Sequence, residues 1–97
     1  MQKFEAVYLQ MIEENRELFD TFKIIHDSYV LNPSINQDKF NMIGAEVVDI
    51  IRNYERILCG KTESGQYGKF SGKLSERFWH EVRINFPKID FVGVENS

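Results

Sequence analysis

The residues best suited to chemistry gather in the last third of the chain. His80 follows Glu76 by one helical turn, with Arg77 and Arg83 beside it. A histidine near an acid and two arginines is competent for proton transfer or phosphate cleavage. The same i,i+4 spacing builds an exposed ion-pairing face, and that is the expectation here. Upstream, Gly68-Lys-Phe-Ser-Gly72-Lys73-Leu74 invites comparison with a phosphate-binding loop. It has three residues between its glycines instead of four, and Leu74 stands where a magnesium-binding Ser or Thr belongs. It is therefore not a nucleotide-binding loop of that kind. Backbone amides with Lys61, Lys69 and Lys73 remain able to hold an anion near the start of the following helix.

Aromatic residues alternate with basic ones through this segment. Tyr67, Phe70, Phe78 and Trp79 are interleaved with Lys69, Lys73, Arg77 and Arg83. Such mixtures bind single-stranded nucleic acid by stacking and charge. The contacts available to a nucleic acid or another anion are then Lys61, Tyr67, Lys69, Phe70, Lys73, Arg77, His80 and Arg83. On a helical wheel, however, Phe78 and Trp79 share one face and the bases the other, as in a helix that packs on a core. No zinc-finger, groove-reading or RNA-binding-sheet signature accompanies them.

Elsewhere the chemistry thins out. His26 flanks an apolar seam and is expected to make a structural contact with Glu46. No Glu-x-x-His pair occurs to support a di-metal bundle site. Cys59 closes a helix, where the negative end of the dipole disfavours a thiolate, so it is read as a small apolar residue. No catalytic, cofactor-binding or metal-binding residue is assigned, and no cofactor is expected.

The elements that carry these residues follow from periodicity. Phe4, Tyr8, Met11, Asn15, Leu18, Phe22, Ile25 and Tyr29 recur at spacings of four and three, a heptad seam interrupted only by Asn15. Asn32-Pro33 ends it, predicting a helix over about residues 3–31. Phe40, Ile43, Val47, Ile50, Tyr54 and Ile57 make a second seam, predicting a helix over about 37–59 with Asn36 or Ser34 as its cap and Gly60 just past its end. A connection of about five residues sets the two antiparallel. Tyr29 then faces Phe40, Phe22 lies near Val47, and Asn15 comes near Tyr54. There the Asn15 amide either bonds the Tyr54 hydroxyl or sits at a wet edge.

The four glycines from Gly60 to Gly72 read as a loop. A third amphipathic helix follows over about 72–86, capped by Ser71 and stopped by Pro87, with its aromatic face as lid for the hairpin. Residues 88–94 read as an extended apolar tail covering the first turns of helix one, or else as a strand. The expected fold is all-α, in a single domain over 1–97.

Composition agrees with a folded domain: 42% of residues are apolar, and eight Phe, four Tyr and one Trp supply the rings. Those proportions exclude a disordered chain or a disulfide scaffold. No apolar run reaches the roughly 18 residues of a membrane span, no signal-peptide core is apparent, and the single cysteine suits a cytoplasmic protein. The net charge of −3 divides unevenly. Residues 1–59 carry ten acids against six bases, and residues 60–89 carry six bases against three acids. Such asymmetry hints at a polyanion partner or at complementary subunits.

The apolar stripe is wider than the seams. Ile12, Phe19, Ile24, Met42, Val48, Ile51 and Leu58 flank them, more than a hairpin covers by itself. The expected function is a non-catalytic oligomerisation or protein-interaction module that pairs with itself through these seven residues, or binds another protein. A small nucleic-acid-binding regulator using the basic segment is the alternative.

Overall fold

A computed structural model of this chain describes residues 2–60 and 68–95, and for 68–72 the backbone alone. It is all-α, with four helices among the described residues: α1 Lys3–Glu14, α2 Arg16–Leu31, α3 Pro33–Leu58 and α4 Gly68–Asn85. A 3-10 turn, Ile89–Phe91, follows α4. There is no strand among the described residues.

The expected first helix is two helices that meet at Asn15, the polar residue in the seam. Its backbone leaves helical geometry at φ −130°, ψ 34°. The cause is local: Asn15 Nδ2 donates to the Met11 carbonyl at 3.1 Å, the carbonyl that already accepts the Asn15 N–H at 3.2 Å. A side-chain amide competing for the i−4 carbonyl bends a helix in this way. The Tyr54 hydroxyl does come to this corner, where it donates to the Glu14 carboxylate. That bond, first, and then burial raise the Tyr54 pKa, with the Asn15 side chain acting in the opposite sense.

The second correction concerns the turn. Only Asn32 separates α2 from α3. Pro33 is the first residue of α3, where its missing N–H would have had no helical partner and its fixed φ suits the helix. The restriction proline imposes falls on Asn32, at φ −145°, ψ 79°. Neither Ser34 nor Asn36 is the N-cap. Asn36 instead reaches back and donates Nδ2 to the Ser28 carbonyl at 3.1 Å and to that of Asn32 at 2.9 Å, satisfying the open end of α2. The antiparallel register is as read: the rings of Tyr29 and Phe40 stack 4.0 Å apart at 9°. Such ring pairs contribute about 0.5–1.5 kcal/mol beyond their burial.

α4 does lie over the hairpin. Phe78, Val82 and Phe86 are buried, and Phe86 packs its ring at 6.0 Å from Phe19 and 5.2 Å from Phe22. Tyr8 meets Phe78 edge-on at 6.3 Å, so α4 covers α1 as well. Burial, with Glu81 nearby, pushes the Tyr8 pKa up to about 12. α4 is already helical at Gly68, which places Ser71 inside it and not at its cap. Each glycine costs only about 1 kcal/mol in a helix, a preference that the packing of one long element overrides.

Residues 88–94 are not extended and do not cover α1. They turn back over the middle of α2 and α3. Ile89 is buried, and Val92 lies so close to α3 that a Cβ on Gly44 would sit 2.6 Å from Val92 Cγ2. The turn is completed by Gly93 at φ +92°, a conformation glycine adopts without strain. Uncharged polar side chains fasten this segment. Buried Gln37 accepts from the Tyr29 hydroxyl at 2.9 Å and donates to Asn41 Oδ1 at 2.8 Å and the Phe91 carbonyl at 3.3 Å. Asn41 Oδ1 accepts the Gly93 N–H at 2.8 Å, and Asn41 Nδ2 donates to the Val94 carbonyl at 2.9 Å.

Candidate functional site

His26 is buried, but among Phe22, Phe40 and Phe86 and not against Glu46. Its Nε2 accepts the backbone N–H of Lys88 at 3.1 Å. A backbone amide can only donate, so the ring is neutral at Nε2 and carries its proton on Nδ1, facing Asp27 Oδ1 at 3.2 Å. Burial lowers the His26 pKa; Lys23 and Lys88 act with it, and Asp27 opposes them. His26 therefore ties residues 88–94 to the hairpin. Among the described residues no group of three His, Cys, Asp or Glu is placed to hold a metal ion.

The acid–base cluster on α4 does not assemble. His80 and Glu76 are both exposed, and no hydrogen bond or ion pair joins them. Arg83 is committed elsewhere: Nε and Nη2 donate to Asp90 at 2.8 and 3.1 Å, and its guanidinium lies 5.5 Å over the Trp79 ring. The Trp79 indole N–H in turn donates to Glu55 at 3.0 Å, and the same carboxylate accepts from the Ser75 hydroxyl. A shallow groove lies beside it, lined by Arg52, Glu55, Arg56, Cys59 and Ser75. Burial, and then Glu55, raise the Cys59 pKa.

Of the residues offered to a nucleic acid or anion, Lys61 and Tyr67 lie outside the described residues, as do the side chains of Lys69 and Phe70. Lys73, Arg77 and His80 are exposed. At 100° per residue they share a stripe about 60° wide on the outer side of α4, and Ile84, 59% exposed, lies in the same stripe.

The seven flank residues separate into three groups. Phe19, Ile51 and Leu58 are buried in the chain's own core, because α4 takes the place assigned to a partner. Ile12 and Val48 are half-buried against that core. Ile24 and Met42 remain 70% and 64% exposed. These two form the rims of an apolar groove of about 360 Å³ between α2 and α3, lined also by Thr21, Ile25, Lys39 and Ile43.

Two residues extend that face. Leu31 is 83% exposed and Ile35 78%. Leu31 stands seven residues after Ile24 and Ile35 seven before Met42, so both lie two turns nearer the hairpin tip on the same faces. Their heptad spacing is visible in the sequence, but Ile35 falls in the stretch expected as a connection and Leu31 is the last residue of the expected first helix, so neither enters the expected flank. Ile57, expected inside, is exposed, and Leu58 takes its place in the core.

No helix among the described residues is long and apolar enough to cross a membrane. No family model, no curated protein and no solved structure matches this chain.

Proposed function

We propose that this protein is a non-catalytic interaction module whose docking face is the α2–α3 groove and its extension to the hairpin tip. The supporting observation is that Ile24 and Met42 stay largely exposed beside a groove although α4 and residues 88–94 cover the hairpin's other side. Four large apolar side chains left exposed on one side of a hairpin, two of them lining a groove, are more than singly scattered surface apolar residues, and such clusters mark interaction sites. The hairpin beneath is stiffened by stacked rings and a one-residue turn, so a partner would meet a preformed surface.

Site-specific photo-crosslinking in the native cell tests this. A photoreactive phenylalanine analogue replacing Met42 is expected to give protein adducts well above those from the same analogue at Gln10, exposed on α1. Equal yields at the two positions would overturn the proposal.

A further inference from the structure

We propose that His26 is a proton-operated latch: when its Nε2 takes a proton, residues 88–94 lift off the hairpin and uncover Gly44 and the ring of Phe22. The latch lies on the covered side of the hairpin, away from the docking face.

In the closed form Nε2 accepts the Lys88 N–H at 3.1 Å, on a ring that is 2% exposed. A proton on Nε2 turns this acceptor into a donor aimed at a donor, and a backbone N–H has no second role to offer it. The side chains around the ring are Phe22, Phe40 and Phe86, which supply no oxygen or nitrogen acceptor for the new N–H. An unsatisfied buried cation is strongly disfavoured. The closed form therefore excludes the proton, and the open form, with Nε2 in water, accepts it.

The charged groups near the ring act in the same sense. α2 brings Lys23 and Asp27, and the segment itself brings Lys88; α3 and α4 present Phe40 and Phe86 there. Asp27 Oδ1 faces Nδ1 at 3.2 Å, and its side chain is 60% exposed. It stays with the ring on α2 and supports the imidazolium once Nε2 is hydrated. Lys88 departs with the segment and takes its repulsion along.

The rest of the fastening suits a part that lets go by itself. Ile89 is the one fully buried side chain in 88–94. The other ties to the hairpin are single hydrogen bonds from Gln37 and Asn41 to backbone groups. The Arg83–Asp90 pair keeps the root of the segment on α4. It does not titrate with the latch, because Arg83 holds the Asp90 carboxyl below its ordinary range. Over Gly44 the fit is close: an added Cβ would lie 2.6 and 2.9 Å from the two Val92 methyls.

Amide hydrogen exchange by NMR on the whole chain, with rates corrected for the intrinsic effect of pH, tests this. The N–H groups of Lys88 and Gly93 bond across to His26 and Asn41 and report the lifting. Those of Val47 and Ile51, buried on α3, report unfolding of the whole. A group that binds its proton near pH 6.5 in the open form alone moves the opening equilibrium about tenfold between about pH 7.5 and pH 5.5. Protection at Lys88 and Gly93 should fall together by about that factor. At both pH values it should stay at least about a hundredfold below that of Val47 and Ile51. In His26→Gln, whose amide oxygen can accept the Lys88 N–H but takes no proton, the fall should vanish. Gly44→Ala pushes Val92 outward and should lower protection at both reporters already at about pH 7.5, with the pH ratio kept.

Equal protection at all four amides overturns the proposal, because residues 88–94 would then leave only when the whole chain unfolds. So does a wild type without the fall, or a fall that persists in His26→Gln. If that variant does not fold, the ring-nitrogen shifts of wild-type His26 decide: protonation in step with lost protection at Lys88 and Gly93 supports the latch, and protonation while both stay protected overturns it.

Discussion

The two long sides of the α2–α3 hairpin both carry large apolar side chains and end up in opposite conditions. On one side Phe22, His26, Phe40 and Gly44 lie beneath α4 and residues 88–94. On the other, Ile24 and Met42 face outward. What separates the two sides is their polar residues. The covered side is edged by uncharged amides and an imidazole, and Gln37, Asn41 and His26 each bond a backbone group of the segment laid over them. The bare side is edged by charged groups, with Lys39 lining its groove and Asp38 and Glu46 exposed nearby on α3, which an apolar cover could not satisfy. Apolar patterning says that a face wants cover; the neutral or charged polar fringe says whether the chain's own backbone can supply it.

The largest test of this contrast is truncation on the covered side. Phe40→Ala removes a fully buried ring stacked on Tyr29 and Phe22 and is expected to cost about 3–5 kcal/mol in urea unfolding. Next is Gly44→Val, which drives a side chain into Val92 and against Phe22 Cε1, 3.3 Å from an added Cβ. Overpacking of this kind costs about 1–3 kcal/mol. Gly44→Ala should cost less, since about 1 kcal/mol of helix preference offsets the clash.

A smaller effect is expected from pH. Burial lowers the His26 pKa in the folded chain, so between that value and the ordinary one near 6.5 the unfolded chain binds more protons. The stability that neutral His26 provides is complete above the ordinary value and is lost as pH falls through this window. The urea midpoint should therefore drop between about pH 7.5 and pH 5.5, and His26→Gln should flatten that dependence. The least effect belongs to the bare side: Ile24→Ser and Met42→Ser should each change stability by no more than about 0.5 kcal/mol. A loss of 2 kcal/mol or more at either would show that this side is covered within the chain after all.

Much of the architecture could be read before any coordinates. The seams, the Tyr29–Phe40 register and the lidding by an aromatic third amphipathic helix follow from spacing alone, because burial of one stripe leaves a strict period. The departures come where a single side chain decides. Asn15 was visible as a blemish in the seam, but only its bond to the Met11 carbonyl turns blemish into bend. Pro33 reads as a stop whichever helix it belongs to, and the one-residue turn decides in favour of α3. At the candidate site, Ile24 and Met42 were named correctly as lying outside the seam. Phe19, Ile51 and Leu58 were named with them because periodicity locates a flank without saying how far α4 reaches across it. Ile35 was passed over because α3 begins at Pro33, four residues before its expected start, and Leu31, at the end of the expected first helix, then had no helical residue facing it across the hairpin.

The bend at Asn15 has a consequence for how the molecule comes apart. α1 leaves the line of α2 and lies against α4, with Tyr8 on Phe78. The first and last helices therefore form one clasp although the hairpin separates them in sequence. Loosening either one exposes the other's aromatic face, so their amides should exchange with solvent together, as a unit of their own.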